Sequence, residues 1–283
     1  MGSEGMLGSA LVERLKEERL RDKTFEVFAA DEIECDITEA EETALYVMSI
    51  APALVINCAA YTDVDGAERE TTQAHLVNGD GPKNLAAACF NCGARLIHIS
   101  TEYVFDGAKP APYVETDEPH PLSEYGKSKL RGERNIGISL QDYLILRTSW
   151  LFGPRGKNFI DTVLRLAGER EEITMVTDQV GAPTYSIDLA DALCGLVSSN
   201  LKGIYHLTGQ GYCTWHELAQ YVLEVAGKKL RMKPIDSAHL DRPAKRPLNC
   251  RLDCSRIERD AGIRLRPWKE TVAEYIKNYK PDA

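Results

Sequence analysis

The strongest candidate for chemistry in the sequence is a Tyr-x-x-x-Lys pattern formed by Tyr125 and Lys129. On a helix, residues four apart share one face, so the Lys129 ammonium can lie beside the Tyr125 hydroxyl. A free tyrosine has a pKa of about 10, and a nearby cation lowers that pKa by stabilising the phenolate. The pattern therefore predicts a tyrosine that exchanges a proton with a substrate. A surface tyrosine beside a solvated lysine gives the same pattern, so the surrounding sequence must distinguish the two interpretations.

That context includes hydroxyl groups that follow a predicted buried strand. Ser100 and Thr101 come directly after the apolar run that ends at Ile99, and Glu102 and Tyr103 come next. In an open parallel sheet, substrate and cofactor meet at the carboxyl ends of the strands. Thr101 is therefore predicted to orient a carbonyl and to share its proton with Tyr125. The alternative is that these hydroxyls only cap the following loop.

The start of the chain carries a candidate phosphate site. Gly2, Gly5 and Gly8 are spaced by three residues and precede a predicted helix. Glycine lets the backbone approach a pyrophosphate, whose charge then lies at the helix N-terminus. Asp31 ends the next predicted strand, where a carboxylate accepts a hydrogen bond from an adenosine ribose and repels a 2′-phosphate. The alternative is an ordinary glycine turn.

The elements that position these residues alternate along the first half of the chain. Short apolar strands separated by helices of ten or more residues indicate a parallel sheet covered on both faces. The predicted fold class is therefore a doubly wound, Rossmann-like α/β fold. The predicted strands are 24–30, 53–58, 94–100 and 143–147, and the predicted helices are 8–21, 40–50, 71–92 and 124–137.

The alternation loosens after Trp150, which predicts a smaller, discontinuous substrate-binding lobe. We assign 1–152 to a dinucleotide-binding domain, with return segments near 185–209, and 153–184 and 210–283 to the lobe. The later predicted elements are helices 157–168, 185–198 and 215–227, strands 173–176 and 204–207, and an irregular basic loop over 241–249.

One feature does not fit a dinucleotide-binding sheet. Such a sheet has a strand before its glycine loop, whereas only Met1 precedes Gly2. A central strand that buries three or four large side chains contributes about 5–10 kcal/mol. We therefore expect either that the natural chain begins upstream or that a truncated start leaves the cofactor site defective.

Composition narrows the classes of partner. Lys plus Arg is 34 and Asp plus Glu is 43, which gives a net charge of −9. This balance argues against nucleic acid or an acidic membrane surface as the partner. No apolar run approaches the roughly 20 residues of a membrane span, and the start lacks the features of a secretory signal. The eight cysteines are too sparse for a disulfide scaffold, which predicts reduced thiols and a cytoplasmic location.

Metal binding finds little support in the sequence. Cys89 and Cys92 form a Cys-x-x-Cys, but Gly93 follows at once, which is typical of a helix end rather than of a zinc site. His206 and His216 lack the spacing of a metal pair. We predict no metal ligands, although Mg²⁺ dependence stays open.

Seven segments together resemble a known family. The chain is similar to the extended short-chain dehydrogenase/reductases and, among them, to the dTDP-4-dehydrorhamnose reductases. The segments span nearly the whole chain: the glycine pattern of 2–8, Asn-Cys-Ala-Ala-Tyr-Thr at 57–62, Ser-Thr-Glu-Tyr-Val-Phe-Asp-Gly at 100–107, Tyr-Gly-Lys-Ser-Lys at 125–129, Arg-Thr-Ser-Trp at 147–150, Asp-Gln-Val-Gly-Ala-Pro-Thr at 178–184 and Arg-Pro-Leu-Asn-Cys-Arg-Leu-Asp at 246–253.

The resemblance implies a reaction. NADPH or NADH would reduce the C4 keto group of a small nucleotide sugar, dTDP-4-dehydro-L-rhamnose. Tyr125 would protonate the oxygen, Lys129 would tune Tyr125 and hold the cofactor ribose, and Thr101 would hold the keto oxygen. Glu102 and Trp150 would face the sugar, with Glu102 standing where the family usually has Asp. With the glycines and Asp31, the implied cofactor-binding residues are Gly2, Gly5, Met6, Leu7, Gly8, Asp31, Asp36, Ile37, Ala60, Tyr61, Thr62, Ile99, Tyr125 and Lys129.

Several alternatives stay open at this stage. The same fold serves epimerases and dehydratases, and the regulatory β subunit of methionine adenosyltransferase resembles this family without being a reductase. The resemblance also leaves a homodimer open. The basic residues Arg242, Lys245, Arg246 and Arg251 either neutralise a substrate diphosphate or form a solvated surface. Asn78 is interpreted as a structural amide within a helix, and the aromatic residues Trp215, Trp268, Tyr275 and Tyr279 as core.

Overall fold

The computed structural model describes residues 1–22 and 25–278. A four-stranded parallel sheet, in the order β1-β2-β3-β8, forms its centre, and three two-stranded sheets pair β5 with β10, β4 with β7 and β6 with β9. The strands are β1 (Leu54–Asn57), β2 (Arg95–Thr101), β3 (Tyr143–Thr148), β4 (Leu151–Phe152), β5 (Glu172–Val176), β6 (Val180–Gly181), β7 (Thr184–Tyr185), β8 (Gly203–His206), β9 (Cys213–Thr214) and β10 (Arg231–Ile235).

Helices cover both faces of the central sheet. They are α1 (Met6–Asp22), α2 (Ala40–Ile50), α3 (Thr71–His75), α4 (Gly81–Cys92), α5 (Glu124–Ser139), α6 (Phe159–Glu169), α7 (Ser186–Leu196), α8 (Trp215–Val225), α9 (Ser255–Ala261) and α10 (Trp268–Lys277). Each described helix is too short or too polar to cross a membrane.

Side chains alternate between the two faces of the sheet, as the pleat of a strand requires. Ile97 and Leu144 pack into a cluster with residues of α1 and α7, whereas their neighbours Leu96 and Ile145 pack with residues of α2, α4 and α5. Both faces are therefore buried, and the predicted doubly wound α/β fold is confirmed.

Two local features position the residues expected to do chemistry. Ser123 begins α5, because its Oγ accepts a hydrogen bond from the Gly126 N–H at 3.2 Å. The predicted helix 71–92 is instead interrupted by a π-helical turn at Leu76–Asp80, which buries Asn78. π-turns inside helices often accompany functional sites.

The predicted strand 24–30 is wrong for the residues that can be assessed. Thr24 lies outside the described residues, and 25–30 form no ladder with another strand. Among the described residues, the start of the chain makes one backbone hydrogen bond to this segment. The Ser3 N–H donates it to the Ala30 carbonyl at 3.1 Å. Apolar, β-branched composition favours a strand, but a strand needs a partner along its edge.

A separate apolar cluster joins the later elements. Residues of α6, α8 and α10 and of the short strands form it, with Trp268 and Tyr275 among its buried members and Trp215 packed against it. Tyr279 lies outside the described residues. By contrast, Ile257 and Leu265 pack with the central sheet. Part of the stretch 210–283 therefore belongs to the core of that sheet and not to the separate cluster.

Candidate active site

The site is built around the carboxyl end of β2. Thr101 is the last residue of β2, stands beside Thr148 of β3 in the parallel register, and is buried. Its Oγ1 donates a hydrogen bond to Glu102 Oε2 at 2.8 Å and accepts one from the Tyr103 N–H at 3.2 Å. The Tyr125 hydroxyl lies against the Thr101 side chain and the Glu102 carboxyl. Three residues predicted from sequence, Thr101, Glu102 and Tyr125, therefore meet here.

Burial changes the acidity of this cluster. The buried position of Glu102 raises the pKa of its carboxyl to about 8, although the hydrogen bond from Thr101 opposes that rise. Burial also raises the pKa of Tyr125, and a Glu102 carboxylate raises it further. The expectation that Lys129 makes Tyr125 unusually acidic is therefore wrong for this structure. Desolvation of the phenolate outweighs attraction to the ammonium, which is engaged elsewhere.

Lys129 is fully enclosed behind the site. Its Nζ donates a hydrogen bond to the Ile99 carbonyl at 2.7 Å and lies 3.4 Å from His98 Nε2. Burial lowers the pKa of Lys129 to about 8, against the opposing charges of Glu133 and Cys58. The ammonium is thus held between α5 and β2, near the carboxyl end of the strand.

His98 completes a chain of three polar side chains. Asn57 Oδ1 accepts from the Ala59 N–H at 3.0 Å, so its Nδ2 is the group that donates to His98 Nδ1 at 3.1 Å. The neutral ring therefore carries its proton on Nε2, facing Lys129. Burial, and then the Lys129 charge, hold the pKa of His98 well below its ordinary value. An N–H aimed at an ammonium favours the neutral amine, in the same direction as burial.

A buried ion pair joins α5 to the same strands. Arg147 of β3 donates to Glu133 of α5 through Nε at 2.9 Å and through Nη2 at 2.6 Å. Glu133 Oε1 also accepts from Ser100 Oγ at 2.5 Å. Bidentate geometry of this kind fixes orientation as well as charge. It locks α5, the helix that carries Tyr125 and Lys129, onto the ends of β2 and β3.

Asn78 connects α5 to a predicted cofactor segment. Its Oδ1 accepts from the Tyr61 N–H, and its Nδ2 donates to the Tyr61 carbonyl, both at 2.9 Å. Nδ2 also donates to Ser128 Oγ at 3.0 Å. The amide is fully engaged, in agreement with a structural interpretation, and it holds the segment Ala60, Tyr61 and Thr62 beside α5.

The glycine loop forms a tight turn before α1. Gly2 has a left-handed backbone (φ +71°), and a Cβ there would lie 2.6 Å from the Ala59 nitrogen. A Cβ on Gly8 would overlap the Gly2 carbonyl oxygen, whereas one on Gly5 would make only an ordinary contact. The packing thus requires two of the three glycines. The amides of Met6, Leu7 and Gly8 lie in the first helical turn, without intrahelical acceptors, and suit an anion such as a pyrophosphate.

Two segments that adjoin predicted cofactor residues meet this loop. Ser3 is bonded to Ala30, the neighbour of Asp31, and the Cys58 N–H donates to the Met1 carbonyl at 3.0 Å. Asp31 Oδ1 accepts from the Ile33 N–H at 2.8 Å.

The remaining two predicted cofactor residues are engaged within the protein. Asp36 Oδ1 accepts from both the N–H and the hydroxyl of Thr38, at 2.9 and 2.8 Å. The Ile37 side chain lies against Gly81 at the start of α4. Their roles toward a cofactor stay predictions.

Trp150 is the residue that the resemblance predicts to face the sugar. Its backbone is left-handed (φ 45°), which is unusual for a bulky residue, and its indole stacks on Trp215 with ring centroids 3.5 Å apart. The buried Cys250 thiol lies next to the Trp150 side chain and near the Glu102 carboxyl. Strained backbone of this kind clusters at functional sites.

The chain matches the family described as RmlD substrate binding domain over residues 1–280. It is 40% identical to a dTDP-4-dehydrorhamnose reductase of Sinorhizobium fredii, covering 85% of each chain, and 41% identical to one of Aggregatibacter actinomycetemcomitans, covering 96% of this chain and 95% of that one. A crystal structure of the Bacillus anthracis dTDP-4-dehydrorhamnose reductase in complex with NADP superposes with a TM-score of 0.93, at 36% identity over 98% and 97% of the chains. The chain belongs to the RmlD family. The resemblance drawn from the sequence motifs is confirmed.

The basic residues of the late loop of this RmlD family member fall into two groups, those bonded within the protein and those exposed to solvent. Arg246 donates to both carboxylate oxygens of Asp65, at 3.0 and 2.8 Å, and also contacts the Tyr103 hydroxyl. Arg251 donates to Asn249 Oδ1 at 2.8 Å, whereas Arg242 and Lys245 are exposed. Over 1–22 and 25–278, no cluster of three or more His, Cys, Asp or Glu could hold a metal ion.

Sequence reasoning missed several residues of this RmlD site. His98 and Arg147 lie inside apolar strands, where their polarity at predicted buried positions could have drawn attention, whereas Glu133 lies in a helix rich in charged residues and gave no such signal. Thr148 Oγ1 is buried without a hydrogen-bond partner among the described residues, beside Thr101 at the strand ends. Both predicted strands are followed by a threonine, and aligning them in parallel would have placed Thr148 beside Thr101.

Proposed function

We propose that the chain reduces the C4 keto group of dTDP-4-dehydro-L-rhamnose to dTDP-L-rhamnose, with NADPH or NADH as the reductant. The meeting of Thr101, Glu102 and Tyr125 at the end of β2 carries this proposal. The family membership and the reductases named among its relatives support it.

The residues present suit a dinucleotide. The turn at Gly2 and Gly8 exposes the first amides of α1 to a pyrophosphate, and the B. anthracis relative was crystallised with NADP. When bound, the cofactor supplies a hydride to C4. The C4–O π electrons then move onto the oxygen, which takes the proton of Tyr125.

The acidities of the site suit the reductive direction. A general acid must begin protonated, and the raised pKa of Tyr125 keeps it so at neutral pH. Because the pKa of Glu102 is about 8, its carboxyl is mostly neutral at pH 7 and does not repel charge that develops on the substrate oxygen. Thr101 holds that oxygen, and Lys129 contacts the cofactor ribose.

The remaining site residues follow the same proposal. Glu102 and Trp150 face the sugar, and the cofactor lies along the glycine loop, Asp31, Asp36, Ile37, Ile99 and 60–62. We place the dinucleotide-binding domain at 1–152 with returns near 185–209, and the substrate-binding lobe at 153–184 and 210–283. We also propose a homodimer in the cytoplasm, which light scattering and cell fractionation test.

The deciding experiment is a balance of substrate against reductant. The purified chain is mixed with dTDP-4-dehydro-L-rhamnose and NADPH, and NMR identifies the product. We expect one reduced cofactor consumed for each dTDP-L-rhamnose formed. A changed sugar without net loss of NADPH would instead indicate an epimerase or dehydratase. Cofactor binding without any product would indicate a regulatory protein.

A further inference from the structure

A second indole stacks on the one that is predicted to face the sugar. Trp215 is the first residue of α8, and its ring is parallel to that of Trp150 within 9°, with the two centroids 3.5 Å apart. Isolated aromatic rings prefer offset or edge-on arrangements to face-to-face overlap. The surrounding residues must therefore hold the two indoles in this stack.

Contacts from several elements hold Trp215. Its Nε1 donates a hydrogen bond to the side-chain oxygen of the buried Gln179 at 3.1 Å. Phe159 of α6 packs against the same indole, with centroids 4.5 Å apart. Thr214 and Glu217 form a capping box at the start of α8, in which each side chain accepts a hydrogen bond from the backbone N–H of the other. These contacts fix both the position and the plane of the Trp215 indole.

Trp150 is held at its backbone and by the stack. Its φ is 45°, and its carbonyl accepts a hydrogen bond from the Thr184 N–H at 3.2 Å. Its indole lies against Gly181, where a Cβ would come 2.4 Å from Trp150 Cε2. The glycine therefore makes room for the indole, and the stacked ring of Trp215 sets its plane.

The stacked pair reaches the candidate active site through Trp150. The buried Cys250 thiol lies next to the Trp150 side chain and near the Glu102 carboxyl, at the end of β2. The hydrogen bond of Trp215 is directed instead to Gln179, in the segment between β5 and β6. A change at Trp215 should therefore reach the site through the orientation of Trp150.

We propose that Trp215, anchored by Gln179, is a positioning residue for sugar binding, because it holds the Trp150 indole in the plane in which that indole meets the sugar. This inference rests on the proposed function, in which Trp150 faces the sugar. An indole that turns about its side-chain bonds would present this face to the sugar for part of the time. The apparent affinity then falls in proportion to the competent fraction. Once the sugar is bound, proton transfer from Tyr125 should proceed at its ordinary rate.

The test compares Trp215→Leu, which removes the stacked ring, with Gln179→Leu, which keeps both indoles and removes the anchor. We expect Trp215→Leu to raise the KM for dTDP-4-dehydro-L-rhamnose about tenfold, and Gln179→Leu about threefold, because the competent fraction falls. In both variants kcat and the Kd of NADPH should stay within about twofold of the unsubstituted chain. Gln179→Leu alone decides the question if Trp215→Leu does not fold.

Trp268→Phe is the matched control. Trp268 belongs to the same apolar cluster as the side chains that pack around Trp215, but its ring packs edge-on against Tyr221. A loosened cluster would affect this variant as well, whereas a lost stack would not. We therefore expect its KM to stay unchanged, and a rise equal to that of Trp215→Leu would overturn the proposal.

A double variant separates positioning from direct contact. If Trp215 acts through Trp150, adding Trp215→Leu to Trp150→Ala should change the KM by less than about twofold. Full multiplication of the two single effects would mean that Trp215 touches the sugar itself, and it would overturn the proposal. An unchanged KM in Trp215→Leu with normal turnover would overturn it as well.

Circular dichroism tests the stack without catalysis. The chain has three tryptophans, Trp150, Trp215 and Trp268. Two stacked indoles give an exciton couplet in the ultraviolet, which should vanish in Trp150→Phe and in Trp215→Phe but persist in Trp268→Phe. Titration with dTDP-L-rhamnose should perturb the couplet of the unsubstituted chain, and a couplet that survives either stack variant would overturn the proposal. Absence of turnover in the unsubstituted chain would instead contradict the proposed function, and the response of the couplet to dTDP-L-rhamnose would still decide the role of the stack.

Discussion

The carboxyl ends of β2 and β3 and the outer edge of β1 belong to one sheet but differ in how their polar groups are satisfied. At the first, Ser100, Glu133 and Arg147 form a buried network that fixes α5 against the strands. At the second, β1 directs backbone groups into an apolar groove, where Met1 supplies a single residue of pairing. The first region is enclosed and the second is open.

This difference separates chemistry from cofactor binding. Tyr125, Thr101 and Lys129 depend on interior strands whose two edges are both paired. The glycine loop instead follows directly from the open edge, and its position rests on residues 1–3. Changes in one region should therefore leave the function of the other largely intact, which the following variants test.

The largest effect is expected from Tyr125→Phe, which removes the proposed proton donor from the enclosed region and keeps the ring. We expect kcat to fall by about 10²–10⁴, with the Kd of NADPH nearly unchanged. Steady-state kinetics and a fluorescence titration measure the two quantities. Tyr143→Phe, at the opposite end of β3, is the matched control and should keep its activity. Normal turnover by Tyr125→Phe would remove the proton-transfer role.

The buried ion pair predicts a large loss of stability in the same region. Glu133→Gln leaves the Arg147 guanidinium buried without its counter-charge, which should reduce the free energy of unfolding by about 3–5 kcal/mol. The double variant Glu133→Leu with Arg147→Met removes both charges, and its free energy of unfolding should fall by less. Urea unfolding compares them. A double variant less stable than the single one would contradict the role of the uncompensated charge.

The architecture could be predicted from the sequence because the strands of the central sheet carry short apolar runs that are visible in the local sequence. The predicted helix 40–50 agrees with α2, and the predicted strands at 53–58, 94–100 and 143–147 agree with β1, β2 and β3 within about a residue at each end. Tyr125 was predicted from motif spacing and Thr101 from the end of a strand, whereas Glu102 was implied by the family resemblance.

Two features could not be read from local sequence. The pattern at 24–30 favours a strand, but strand formation depends on a partner far along the chain. The Tyr-x-x-x-Lys spacing likewise predicts a more acidic tyrosine, whereas the pKa depends on burial and on Glu102. Lys129 is directed toward Ile99 and His98, and spacing alone carries no information about those partners.

Glu102 makes the stability of the enclosed region depend on pH. Its folded-state pKa, about 8, lies above the ordinary value of 4.5, because burial disfavours the carboxylate. The protonated carboxyl therefore stabilises the fold at low pH, and this contribution is lost as pH rises through about 8. From pH 5 to pH 9, the free energy of unfolding of Glu102→Gln should therefore rise by about 2–4 kcal/mol relative to that of the unsubstituted chain. Urea unfolding at both pH values measures it, and an unchanging difference would contradict the raised pKa.

The smallest effect is expected at the open region, from Asp31→Asn. The Asp31 carboxylate lies near the glycine loop and should repel the 2′-phosphate that distinguishes NADPH from NADH. Asparagine keeps the Oδ1 that accepts from the Ile33 N–H at 2.8 Å but removes the charge. Because the group is solvated, the ratio of the Kd values for NADPH and NADH should fall by only about two- to fivefold. Titrations with both cofactors measure that ratio, and kcat at saturating cofactor should stay constant if the two regions act independently. An unchanged ratio would place Asp31 away from the ribose.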